Sequence, residues 1–312
     1  MKICYIANSA LPSDNASSLQ IINMCHNFEL VGIKTILILP KTGFNKSIKK
    51  FYNLKKKIQI IRCNSFKKFP IGIYYYLFAF TAILKSLNFK VDYYMTRNYF
   101  CAFLLSILGK KIIFELHHDL QLEGKITRFL VNRLKFLKKN NFLVLIAITN
   151  GIAKYYLDKD LINKKKLVIL PSASELKIKY QPQKLYKKKF KIGYFGNFYK
   201  SRGSEFIVKL AKKNVKNDYY IFSNFRNLNK KDLLNKKNIF PMNFVDRGKI
   251  SNHLKKMDIL ILPYQEKITV KGNVGDITKY TSPMKLFDYL ASGKLILSSN
   301  LNVLKEIIEH KK

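Results

Sequence analysis

Residues 280–298 read YTSPMKLFDYLASGKLILS, a polar turn followed by an amphipathic helix with one carboxylate, Asp288. Pro283 suits the first helical position, where its missing N–H would be unbonded anyway. The helix start over Ser282, Pro283, Met284 and Lys285 leaves free amides and a partial positive charge, a ready anion site. Asp288 lies about one and a half turns beyond Pro283 at ~3.6 residues per turn. One helix end therefore offers donors for a phosphate and an acceptor for a sugar hydroxyl, a pairing that suits a nucleotide-sugar. A second loop, GNFYKSRG at 196–203, combines a glycine (Gly196), two cations (Lys200 and Arg202) and a predicted helix start near Gly203. Glycine lets backbone approach a ligand closely, and cations beside a helix N-terminus make a phosphate cradle.

Three other stretches carry polar side chains at predicted strand ends. ELHHDL presents Glu115, His117, His118 and Asp119. Imidazole and carboxylates together suit substrate handling; the alternatives are a structural histidine pair or a metal pair. Metal is the weakest of these, because the ligands are adjacent and few others exist. The loop at 8–16, NSALPSDNA, leads into Ser17 and Ser18 and reads either as an ordinary turn and cap or as ligand contact. It holds no glycine, so it is not a dinucleotide fingerprint. The long loop at 264–282, with Lys267, Lys271, Gly272, Gly275 and Asp276, has the length of a lid or of a disordered segment.

These loops need a scaffold of strands alternating with helices. Strands are predicted at 2–7, 35–39, 58–62, 93–96, 112–115 and 143–149, with a helix at 17–31 closed by Gly32. A second series has strands at 191–195, 218–222, 243–245, 258–263 and 295–298, with helices at 203–212, 250–256 and around Asp288. Such alternation means parallel sheets with crossover helices. Between the series, residues 171–189 are proline- and lysine-rich and read as a linker. The expectation is an α/β protein of two Rossmann-like domains facing a cleft, over 1–170 and 190–312. Ligands in such sheets bind beyond the carboxyl ends of the strands.

The 312 residues suit two domains, and 48% hydrophobic content excludes a disordered chain. Net charge is +39. Attraction to an anionic membrane and phosphate contacts to nucleic acid are two readings. The favoured one is compositional: Lys, Asn, Ile, Phe and Tyr are all abundant, as AT-rich codons would give, and the lysines are spread along the chain. Cysteines at 4, 25, 63 and 101 have no metal-knuckle spacing and fit a reducing compartment. The apolar N-terminal run is too short for a signal peptide. The 16 uncharged residues between Lys68 and Lys85 fall short of the ~20 that span a bilayer. They read as a buried core helix, with an interfacial helix as the alternative.

The order of motifs resembles the family 4 glycosyltransferases, which have the two-Rossmann GT-B fold. The matching residues are TRNYF (96–100), IIFELHHD (112–119), IAITNGIAKYY (146–156), IGYFGNFYKSRG (192–203), DILILPY (258–264) and SPMKLFDYLASGK (282–294). The resemblance implies a cytosolic enzyme, and the basic charge adds an anionic membrane, the inner face of the cell membrane, as a candidate partner. The enzyme would move a sugar from a nucleotide-sugar to a saccharide or lipid-linked saccharide of surface polysaccharide. The anomeric configuration would be retained, with no cofactor and no metal. It implies donor binding by Gly196, Asn197, Ser282, Pro283, Met284, Lys285 and Asp288, the last at the ribose. His117, Arg202 and Lys200 take the catalytic places, and Asn8, Ser9, Ser13, Ser17 and Arg97 the acceptor side. The chain departs from the pattern at Tyr280, where the first acid of E-x7-E falls, and at Asp288, one methylene shorter than the second. Asn197 stands where an arginine is expected, and glycines are missing after the first strand. The family pattern also continues past residue 312, which implies a C-terminally truncated domain. A nucleotide-sugar epimerase on the same fold is one alternative. A non-catalytic basic protein binding nucleic acid or membrane is the other; with the favoured reading, nucleic acid is not a partner.

Overall fold

The computed structural model describes residues 1–13, 15–41, 47–64, 70–178, 186, 188–225, 237–269 and 276–309. Asp14 of the first loop, Lys271, Gly272 and Gly275 of the long loop, and residues 179–185 and 187 of the expected linker lie outside them. The chain forms two units, Met1–Pro171 and Ser172–Lys312.

The first unit is built on short runs rich in β-branched and aromatic residues: β1 (Lys2–Ile6), β2 (Lys34–Pro40), β3 (Gln59–Cys63), β4 (Tyr93–Thr96), β5 (Ile112–Leu116), β6 (Phe142–Ala147) and β7 (Leu167–Ile169). All pair in parallel, in the order β3-β2-β1-β4-β5-β6-β7. A parallel sheet covered on both faces has no wet side, which is why Ile36, Leu37, Ile38 and Leu39 are consecutive and all buried. The crossovers are α1 (Ala16–Leu30), α2 (Ile48–Phe51), α3 (Ile71–Leu87), α4 (Tyr99–Ile107), α5 (Lys125–Leu134) and α6 (Asn150–Asp158). Local chemistry starts and stops them. The Asn98 side chain accepts the Cys101 N–H (2.9 Å) at the start of α4, and Thr149 accepts the Ile152 N–H (3.2 Å) at the start of α6. Gly32, at φ +84°, ends α1.

Two expectations change here. The apolar stretch after Lys68 is a half-buried helix, not a core one: Phe78, Ala79, Ala82 and Ile83 are buried, whereas Ile73, Phe80, Leu84 and Leu87 are exposed. And β7 has no counterpart among the predicted strands, because three edge residues leave too short a pattern.

The second unit carries β8 (Lys191–Phe195), β9 (Asp218–Ser223), β10 (Ile239–Asn243), β11 (Ile259–Leu262) and β12 (Leu295–Ser298). They form a parallel sheet in the order β10-β9-β8-β11-β12. Its helices include α7 (Ser204–Lys213), α8 (Ile250–Lys255), α9 (Met284–Ser292) and α10 (Asn302–Lys305). Strand β10 begins four residues before the predicted 243–245 and contains Pro241, which an interior strand would exclude. Tyr219 N–H donates to Asn238 O (2.8 Å), so alternate residues of β10 face β9 and Pro241 turns its nitrogen to the free edge. Residues 172–178, expected as linker, lie along this unit, with Leu176 and Ile178 packed against the core of Phe195, Leu286 and Tyr289.

Gly203 joins the loop after β8 to α7 at φ +84°, and a Cβ there would stand 1.9 Å from the backbone oxygen of Pro263. Backbone cannot swing aside as a side chain can. Gly203→Ala should therefore cost on the order of 3 kcal/mol of stability, combining left-handed strain with overpacking. A denaturant midpoint compared with the unchanged chain measures it.

Candidate nucleotide-sugar site

In the second sheet the strand order reverses between β8 and β11, the place where open parallel sheets bind ligands. The loop after β8 delivers Arg202. The start of α9 delivers Lys285, and Tyr264 follows β11. Both cations converge on that ring: the Arg202 guanidinium is 4.7 Å and the Lys285 ammonium 5.3 Å from the Tyr264 centroid. Lys285 also lies 4.4 Å from the Tyr194 centroid and donates to its hydroxyl (3.1 Å), while Arg202 Nε donates to Tyr199 OH (3.0 Å). Among the described residues no carboxylate forms an ion pair with either. Burial, with Arg202 adding to it, pushes the Lys285 amine well below its ordinary value. An anion bound beside them would favour the charged form of Lys285 and complete the arrangement.

The structure reassigns several of the expected contacts. The Gly196 N–H donates to Phe222 O (2.9 Å) within the sheet and is not a phosphate donor. Gly196 contributes space instead: at φ +123°, its missing Cβ would lie 3.0 Å from Lys285 Nζ. Lys200 does not join Arg202; its exposed ammonium is 3.6 Å from Glu205. Asn197 is exposed, and its carbonyl accepts from Tyr194 OH (2.6 Å). Ser282 is tied to Ser172 by two hydrogen bonds, of 2.9 and 3.0 Å. Pro283 is the residue before α9 and Met284 its first, so the proline stands one position earlier than expected.

Asp288 lies among protein partners. It is buried, and its carboxylate accepts from both Nη atoms of Arg247 and from Ser174 Oγ (2.6 Å). Arg247 Nε reaches Glu175 (2.7 Å). The carboxylate expected to meet ribose thus holds residues 172–178 and the turn at Arg247 against α9. Sequence reading missed Arg247 and Ser174, which lie in no motif, and gave Tyr264 no role although it ends the DILILPY motif. Beside this network, a cavity of about 240 Å³ opens beyond β9 and β10, lined by Phe222, Asn243, Phe244, Asp246 and His253 among others. Phe222 stacks on Phe195 at 4.4 Å, which puts the cavity next to Gly196.

In the first unit the adjacent strands β1, β4 and β5 line up Tyr5, Arg97 and Glu115. Glu115 is buried and accepts from Tyr5 OH; Arg97 Nη2 lies 3.0 Å from Tyr5 OH and 3.5 Å from Glu115 Oε2. Burial opposes ionisation of Glu115, but the Arg97 charge and the Tyr5 hydroxyl outweigh it and hold the carboxyl down to about 2. His117 Nε2 is 3.8 Å from Glu115 Oε1, too far for a hydrogen bond, and this buried nitrogen has no hydrogen-bond partner among the described residues. Burial, then the Arg97 charge, holds the imidazole below its ordinary value. His118 is turned elsewhere, 2.8 Å from Asp119 O and 3.4 Å from Glu123. Asn8 accepts from Tyr74 OH (2.7 Å), and Ser13 is bound through its backbone to Tyr52 OH. Ser9 is half-buried. Ser17 is exposed, while its neighbour Ser18 turns inward to Ala10 O (2.9 Å). Among the described residues no group of three His, Cys, Asp or Glu side chains could hold a metal ion.

No protein-family model matches the chain, and no curated protein matches it in sequence. Solved structures do match. The Anabaena protein Alr3699/HepE, in complex with UDP and glucose, aligns at TM-score 0.66 and 15% identity over 99% of this chain and 83% of that one. The apo lipopolysaccharide outer core galactosyltransferase WaaB aligns at 0.63 and 14%, over 99% and 84%. UDP-GlcNAc 2-epimerase from Neisseria meningitidis, bound to UDP-GlcNAc, aligns at 0.54 and 12%, over 84% and 77%. The fold is accordingly that of the GT-B glycosyltransferases, with a parallel α/β sheet in each unit.

Glu115 supplies a pH test. Its folded value of about 2 lies below the ordinary 4.5, so its contribution is complete above pH 4.5 and is lost as pH falls toward 2. Glu115→Gln should be roughly 3 kcal/mol less stable at pH 7, where Arg97 is left unpaired. That deficit should shrink as pH falls toward 2. Urea unfolding across this range reads both.

Proposed function

We propose that the protein is a retaining glycosyltransferase of the family 4 type. It transfers a hexosyl or related group from a nucleotide-sugar to a saccharide or lipid-linked saccharide in surface polysaccharide synthesis. The observation that carries this reading is the unneutralised Arg202–Lys285 pair on Tyr264 at the switch point of the second sheet. The donor's diphosphate lies on these two cations and the first amides of α9. Its base enters the cavity beside Phe222 and His253.

The reaction is a front-face substitution. The bond from the anomeric carbon to the diphosphate oxygen breaks with its electrons staying on the diphosphate. The acceptor oxygen bonds to the same face, and its proton passes to a leaving phosphate oxygen. Arg202 and Lys285 stabilise the charge that develops there, usually the largest catalytic term. In the first unit His117, whose buried Nε2 has no hydrogen-bond partner among the described residues, and Arg97 are the candidates this reading assigns to sugar contacts. No resident cofactor takes part. The enzyme works in the cytoplasm, at the inner face of the membrane.

A panel of nucleoside diphosphates and nucleotide-sugars tests the reading by thermal shift. At a concentration of ~100 Kd the cognate donor should add about 2.7 kcal/mol of stability; no shift with any member overturns it. With the cognate donor saturating, Arg202→Ala should lower turnover by ~100-fold or more, and unchanged turnover removes Arg202 from this role. The likeness to the Neisseria epimerase supports a second reading. Conversion of the donor to its 2-epimer without any acceptor would favour that one.

A further inference from the structure

The helices α3, α4 and α5 form one layer over the first sheet. The chain crosses back from β3 to β4 and then moves outward through β5 and β6, so right-handed connections put all three on the same face. They touch one another: the Tyr76 ring is 4.7 Å from Phe100, and Tyr76 OH is 3.3 Å from Thr127 Oγ1. Their outer sides are apolar. On α3, Ile73, Phe80, Leu84 and Leu87 recur at helical spacing on the side away from buried Ala79, Ala82 and Ile83. On α5, Ile126 and Phe129 do the same. These six side chains are 40–59% exposed. Large apolar side chains exposed together on the outer sides of neighbouring helices are unusual on a protein that keeps all its sides in water.

Charge decides what covers it. The three helices contain no Asp or Glu; Lys85 is tied to Arg62 O (2.7 Å), while Lys125 and Arg133 of α5 are exposed. The whole chain stands at +39. A second copy would bring like charge against like. An anionic lipid surface would receive the cations at its headgroups and the apolar row among its upper acyl carbons. No helix of the described residues is long and apolar enough to cross a membrane, so the layer would lie on the bilayer.

We propose that the outer face of α3 and α5 is a docking surface that inserts into the interface of an anionic membrane. This goes beyond attraction by net charge, because it assigns the contact to one face. A variant that changes no charge isolates it: Phe80→Ser with Leu84→Ser and Phe129→Ser. Co-sedimentation is run with vesicles of phosphatidylglycerol and phosphatidylcholine in equal parts, and with phosphatidylcholine alone. The native chain should bind the mixed vesicles, bind phosphatidylcholine far more weakly, and weaken with salt. The triple variant should lose at least about tenfold in affinity for the mixed vesicles.

A separate single variant, Phe80→Cys carrying an environment-sensitive fluorophore, should blue-shift on the mixed vesicles. The four native thiols are buried and leave the new one as the labelling site. Equal binding by native and triple-variant chains overturns the proposal, as does a fluorophore that does not shift. Light scattering that finds a native dimer lost in the triple variant also overturns it, in favour of a second copy. None of these outcomes bears on nucleotide-sugar binding, which is read without vesicles.

Discussion

Two basic groups held on one aromatic ring, with no carboxylate paired to either among the described residues, are an electrostatic expense that a folded chain ordinarily avoids. Here the sheet imposes it. The order β10-β9-β8-β11-β12 sends the chain in opposite directions after β8 and β11, so the loops that follow part and leave a gap. Gly203, seated against Pro263 O, fixes where α7 begins and so where Arg202 stands. Gly196 leaves the room that the Lys285 ammonium fills. Aromatic faces and the Tyr194 and Tyr199 hydroxyls hold the cations without neutralising them. A carboxylate in their place would secure the same geometry and remove the reason for an anion to bind.

Asp288 shows the opposite solution a turn away on the same helix. There a guanidinium meets a carboxylate in bidentate fashion, a serine hydroxyl adds a third bond, and Glu175 takes the remaining guanidinium edge. Removing one partner would leave the other buried and uncompensated. The network joins residues 172–178, the lip of the cavity at Asp246 and the helix that presents Lys285, so these three parts keep one mutual geometry. The first unit uses the same economy around Glu115, whose ionised state orders Tyr5 and Arg97 while one imidazole nitrogen stays unclaimed.

Much of the fold was legible because parallel sheets write their strands as unbroken apolar runs between glycine-ended helices. Strands at 93–96 and 295–298 form over the residues that periodicity predicted. Strand β10 was displaced because proline reads as a breaker unless its edge position is known, and β7 was too short to register. Site residues divide by what determines them. Arg202 and Lys285 lie in motifs whose glycine and proline spacing constrains the backbone, and these two converge. Lys200, two residues from Arg202, points to Glu205 because a short helical turn sends neighbours to different sides. Whether Asp288 would face a ligand or a protein cation depended on Arg247, which is 41 positions away and carries no periodic signal.

Pro241 lies at the outer margin of the second sheet with its nitrogen directed away from β9. A strand arriving from another molecule would find no donor there, and the ring would obstruct its approach. The proline therefore opposes edge-to-edge pairing with a second sheet at this position. That protection matters most while the chain is newly made and crowded, before any ligand has lent it additional stability.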